Sequence, residues 1–107
     1  MRTAKRKALE EAGWRVGSAG DFLELDEVES QFVDIKLALA RLLRTTRTRS
    51  RLTQFELAEK LGSSQSRVAK LEAGDPTVSV DLLVRSLLAA GARPSELAKA
   101  VAVKRRT

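Results

Sequence analysis

At 107 residues the chain is long enough for one domain with a modest core and too short for two ordinary ones. A hydrophobic share of 43% with only two prolines argues for a folded helical protein, and the net charge of +6 fits a nucleic-acid partner if the charge is suitably placed. Cysteine and histidine are both absent, which excludes disulfides, thiolate chemistry and the usual zinc sites, and accords with a reducing cytoplasm.

Residues 2–12, RTAKRKALEEA, predict a short helix that ends at Gly13. The basic start runs into Glu10 and Glu11 in place of an apolar segment, so no signal peptide is expected. Trp14 suits a packing anchor that pins this arm to the domain, and a contact for a protein partner is the functional alternative. The following GSAG at 17–20 lacks the Lys-Ser/Thr and the strand of a phosphate loop.

One helical turn is expected within residues 18–25. Asp26, with Glu29 three residues later, then opens the longest helix by a capping pair. Val28, Phe32, Ile35, Leu39 and Leu42 form an apolar seam that needs a partner surface, best supplied by the domain's own core and otherwise by a coiled-coil mate. Charge segregates along this segment. Charged residues are acidic from Asp21 to Asp34 and basic from Lys36 to Arg51, and the basic run is expected to continue past the helix end into the loop before Leu52.

Thr53, with Glu56 three residues on, forms a capping box ahead of Leu57, Ala58 and Leu61, and Gly62 suits the left-handed residue that ends a helix of barely two turns. Ser63 and Ser64 offer the next N-cap, Val68 and Leu71 the next inward stripe, and Gly74 the next stop. Two short helices joined by a tight turn make a helix-turn-helix. Asp75-Pro76 then turns the chain. Ser79 caps a further helix carrying Leu82, Leu83, Leu87 and Leu88 that ends at Gly91, and Pro94 starts a last one with Leu97 and Val101 inward. The domain organisation is therefore an N-terminal extension at 1–26, a DNA-binding domain at 27–103 and a basic tail at 104–107. The longest apolar region, residues 78–91, is cut by Asp81 and Arg85, so no membrane span is expected.

The second motif helix turns Gln65, Ser66, Arg67 and Lys70 outward, all hydrogen-bonding and none negative. A glutamine amide can address adenine, a lysine guanine, a serine either, and an arginine a phosphate, although a plain solvated helix face has the same polarity. Ser66 and Lys70, four apart, are the only pair resembling a Ser-Lys nucleophile, and a lysine on a wet face keeps its proton; no enzyme, metal, cofactor or small-molecule substrate is expected.

Residues 39–91 resemble the Cro/repressor type of helix-turn-helix domain, the XRE family, matching LTQ-x-x-LA-x-x-LG-x-SQ-x-x-V-x-x-x-E-x-G without a gap from Leu52 to Gly74. The resemblance implies an all-α, compact helical bundle with an N-terminal helical extension. It implies base reading by Ser64, Gln65, Ser66 and Lys70, with Arg67 beside the backbone and Gln54 on a phosphate. Thr53, Arg49 and Arg51, adjacent to the motif, are placed to meet phosphates as well. Arg47 matches the family arginine that pairs with the glutamate of the E-x-G element, here Glu72, the alternative being a direct phosphate contact. The implied function is that of a cytoplasmic transcriptional repressor, a homodimer on double-stranded DNA. The IKLALAR entry and the run from Ser63 to Gly91 also resemble HigA-type antitoxins, which implies a small basic toxin as partner, met by the arm carrying Trp14 and Phe22.

Overall fold

The computed structural model describes residues 19–102, with side-chain surroundings from Asp26 onward. Among the described residues five helices follow one another: α1 (Ala19–Arg49), α2 (Gln54–Leu61), α3 (Gln65–Ala73), α4 (Val80–Ala90) and α5 (Pro94–Ala102). No strand occurs among the described residues, and the fold class is all-α. The helix expected over 2–12, Trp14 and the basic tail at 104–107 lie outside the described residues. No helix among the described residues is long and apolar enough to cross a membrane.

Helix α1 departs from expectation at both ends. It does not begin at Asp26: the turn expected within 18–25 is part of the same helix, which already includes Ala19 and Gly20 of the GSAG stretch. Nothing between Ala19 and Asp26 breaks a helix once Gly20 is passed, so a capping pair at Asp26 and Glu29 has no free helix start to act on. At the other end the helix runs through Arg49, so of the basic stretch expected to continue past the helix end Arg49 is still helical and Arg51 lies in the turn before Leu52. Within this last part of the helix the Thr48 hydroxyl is satisfied by the carbonyls of Arg44 at 3.0 Å and Thr45 at 3.1 Å.

The chain divides into two compact units, Met1–Asp34 and Ile35–Thr107. In the first, Val28, Phe32 and Val33 on α1 are exposed, at 60%, 46% and 40%. In the second, Ile35 is exposed as well, and the seam expected along Val28, Phe32, Ile35, Leu39 and Leu42 is buried at Leu39 and half-buried at Leu42. The row that goes inward is Lys36, Leu39, Ala40, Leu43 and Thr46. The inward row and the expected seam share Leu39 and differ in which neighbouring positions accompany it.

Against this row pack Leu57 and Ala58 of α2, Val68 and Leu71 of α3, and Leu83 and Leu87 of α4, with Val78, Ala90 and Ala92 closing the core. Leu88 and Val101, expected inward, are 46% and 41% exposed. On α4 the buried arc is set by Leu83, Ser86, Leu87 and Ala90, and a residue directly after Leu87 is rotated about 100° away from it. Leu82 and Leu97 are half-buried against the core.

Candidate nucleic-acid interface

Four helices of the domain end in the same hydrogen-bond pattern. After α1, Leu52 N–H donates to the Arg47 carbonyl at 3.1 Å and Arg51 N–H to the Thr48 carbonyl at 3.0 Å. This is the six-to-one and five-to-two pairing that requires a left-handed residue at the penultimate position. At the ends of α2, α3 and α4 that residue is Gly62, Gly74 or Gly91; after α1 it is Arg51, at φ 60°. A side chain there costs on the order of 1 kcal/mol, and the residue carrying it is an exposed arginine directly ahead of the motif.

Helix α2 begins with the expected capping box. Glu56 N–H donates to Thr53 Oγ1 at 3.0 Å and Thr53 N–H donates to Glu56 Oε1 at 2.8 Å. Ser64 then caps α3, accepting from Arg67 N–H at 3.2 Å, with its hydroxyl 3.3 Å from that of Ser66. The Thr53 hydroxyl thus keeps a hydrogen to donate outward while its oxygen is engaged, and the Ser64 and Ser66 hydroxyls share one hydrogen bond between them. Ser64, Gln65, Ser66, Arg67 and Lys70 are all exposed. The first turns of α2, α4 and α5 carry Glu56, Asp81 and Glu96, whereas the first turn of α3 has no acid. The positive end of the α3 dipole is therefore left uncompensated by its own side chains.

Behind α3 a clamp holds the motif. Arg47 Nε meets Glu72 Oε2 at 2.5 Å and its Nη2 meets Oε1 at 3.1 Å, a two-pronged pair with side chains only 13% and 5% exposed. The third prong, Nη1, donates to the Leu52 carbonyl at 2.8 Å. Gln54 Nε2 adds a bond to Glu72 Oε1 at 3.1 Å. The hydrogen bond that Arg47 donates to Glu72 raises the Arg47 pKa, which keeps the guanidinium charged at any working pH. One carboxylate on α3 thus ties together the end of α1, the entry to α2 and the first residue of α2.

The phosphate candidates are not equally free. Gln54 is half-buried and has committed an amide hydrogen to Glu72, leaving its other N–H and its carbonyl. Arg49, 54% exposed, pairs with Glu96 Oε2 at 3.1 Å, and Glu96 Oε1 accepts the Arg93 N–H at 2.9 Å where α5 begins. The Arg93 amide first, and the Arg49 charge after it, hold the Glu96 carboxyl below its ordinary value. Arg51 and Thr53 are exposed. Arg44 belongs with these residues, although its place in a basic run did not single it out. It is exposed and lines a cleft of about 290 Å³ with Gln54, Ala69 and Ala73, beside the clamp. The available signal was its spacing, one helical turn before Arg47 on the same face.

The model of the helix-turn-helix domain family matches residues 38–100, more than half of the chain. The chain belongs to the helix-turn-helix domain family. No curated protein matches the chain. For a helix-turn-helix domain the described arrangement has a direct chemical meaning: the second motif helix presents donors and acceptors without negative charge, and membership indicates a DNA-binding regulator.

Proposed function

We propose that this protein is a sequence-specific regulator, a cytoplasmic repressor of the XRE type that reads the DNA major groove with α3. The observation that carries the reading is the exposed row Ser64, Gln65, Ser66 and Lys70 on a helix whose first turn lacks an acid and whose back is held by the Arg47–Glu72–Gln54 clamp. A held helix can present its side chains at a constant angle, which base reading requires. Gln65 is the principal base reader, with Ser64, Ser66 and Lys70 beside it. Arg67, Arg51, Arg44, Thr53 and the remaining capacity of Gln54 position the domain on phosphates. Arg49 contributes less than its charge implies, because Glu96 already accepts from it. The protein acts as a homodimer on a two-fold operator, with half-sites about 34 Å apart, and performs no catalysis.

Selection of bound sequences from random duplex DNA should return a palindrome. On that duplex Gln65→Ala should weaken binding by about 1–3 kcal/mol and relax preference at one base pair, while leaving affinity for random DNA nearly unchanged. Equal losses on both duplexes would remove Gln65 from the base-reading role.

A second reading is supported by a different surface. The exposed apolar residues Val28, Phe32 and Val33 on α1 suit a protein partner, which favours an antitoxin that binds a small basic toxin and represses its own operon. Co-purification of a small basic protein encoded in the adjacent reading frame would favour this reading, and a solitary gene would leave the plain regulator.

A further inference from the structure

Behind the recognition helix lies a cavity of about 400 Å³, walled by α2, α3 and α4. Its size falls within the range of small-molecule sites, roughly 300–1,000 Å³. Leu61, Leu71 and Leu82 supply apolar walls, and each of the three helices contributes one cation: Lys60 from α2, Arg67 from α3 and Arg85 from α4. No carboxylate lines it. Asp81 pairs with Arg85 at 3.2 Å from outside the cavity, but both side chains are about three-quarters exposed (76% and 75%), so the pair is weak and Arg85 can turn to a better partner. Ser86, only 5% exposed, adds a hydroxyl to the wall. Apolar walls with three exposed cations among the lining residues match a compound with an apolar body and an anionic head.

We propose that this cavity is an effector site for a small amphipathic anion, a carboxylate or sulfonate on a hydrocarbon or aromatic body. Arg67 belongs both to this cavity and to the proposed phosphate contacts. An anion seated behind α3 draws that guanidinium away from DNA, so occupancy lowers DNA affinity and DNA lowers affinity for the anion by the same factor. The ligand site itself is independent of the DNA reading and is tested without DNA.

The first experiment titrates the full-length protein with 8-anilinonaphthalene-1-sulfonate, follows its fluorescence, and displaces it with octanoate. Saturable binding is expected, weakened about tenfold in Lys60→Gln/Arg85→Gln, where two charge-assisted contacts are lost. Ala89→Phe fills the cavity from an exposed position on α4 and should abolish binding with the helical circular dichroism unchanged. The absence of saturable binding, or binding undiminished in both variants, overturns the site. The second experiment measures affinity for the selected duplex by fluorescence anisotropy with and without saturating octanoate. A loss of about fivefold is expected in the wild type and none in Ala89→Phe. An unchanged wild-type affinity overturns the effector role, and a protein that binds no duplex at all overturns the DNA reading while the fluorescence result stands.

Discussion

The two helices of the motif begin and end in nearly the same way. Thr53 and Ser64 each cap with a hydroxyl, and Gly62 and Gly74 each close with a left-handed residue at φ 67° and 65°. The difference lies in what surrounds those shared devices. Helix α2 closes its start on itself with Glu56, whereas α3 leaves its start open. A Cβ at Gly62 would meet open space, but one at Gly74 would come within 2.8 Å of Leu37 Cδ2. Helix α2 is thus a spacer whose ends are satisfied locally. Helix α3 is fixed at its C-terminal end and back, by Gly74 against α1 and by Glu72 against Arg47 and Gln54, and its free end faces outward.

The contrast should break most severely at Glu72. Glu72→Ala leaves the part-buried Arg47 guanidinium without its carboxylate and frees Gln54, and should cost about 2–3 kcal/mol in a urea unfolding titration. A cost below about 1 kcal/mol would mean that the clamp does not hold the motif. Next come the two glycines. Gly74→Ala combines left-handed strain with displacement of Leu37 and should cost about 2 kcal/mol, against about 1 kcal/mol for Gly62→Ala, where only the backbone conformation is opposed. Equal costs would show that the close approach of α3 to α1 carries no energy of its own.

Arg51→Gly should move in the opposite direction. Relief of the left-handed strain should stabilise the fold by about 1 kcal/mol, while affinity for specific and random DNA falls equally and the salt dependence flattens. A stabilised variant with unchanged DNA binding would leave this arginine without a phosphate role. The smallest effect concerns the turn after α3. Asp75 Oδ1 accepts from Thr77 Oγ1 at 2.5 Å and from Thr77 N–H at 2.8 Å, and these bonds, the hydroxyl's first, lower the Asp75 pKa. A carboxyl depressed in the folded state adds stability above its unfolded value, about 3.9, and loses it as pH falls through the folded value. The Asp75 carboxyl titration followed by NMR should therefore have its midpoint below that of an unfolded peptide, and Thr77→Val should move it upward.

Much of the motif was legible in the chain because its devices are local. A capping box spans four residues, and a left-handed stop needs only the glycine that ends the stripe, so Thr53, Glu56, Gly62, Ser64 and Gly74 could be assigned from spacing alone. Local signals misled where nothing in the window opposed them. Asp26 and Glu29 have the form of a helix start but lie inside α1, and the Arg- and Thr-rich stretch has the form of a loop but stays helical through Arg49. The Val28-to-Leu42 seam goes inward at Leu39 and in part at Leu42 but is exposed at Val28, Phe32 and Ile35, since the chain shows a period but not which neighbour will cover it.

The amino-acid sequence by itself determined the helix-turn-helix: where its helices start, where they stop and which side chains stand on the outer edge of α3. It could do so because caps, glycines and periodicity act over one or two turns. Only the tertiary structure decided how the cations are used. Arg49 turned to Glu96, Gln54 gave an amide hydrogen to Glu72, and Lys60, Arg67 and Arg85 line one cavity from three helices. Those outcomes depend on groups separated by many residues in the chain, and electrostatic and hydrogen-bond energies are set by distance in space.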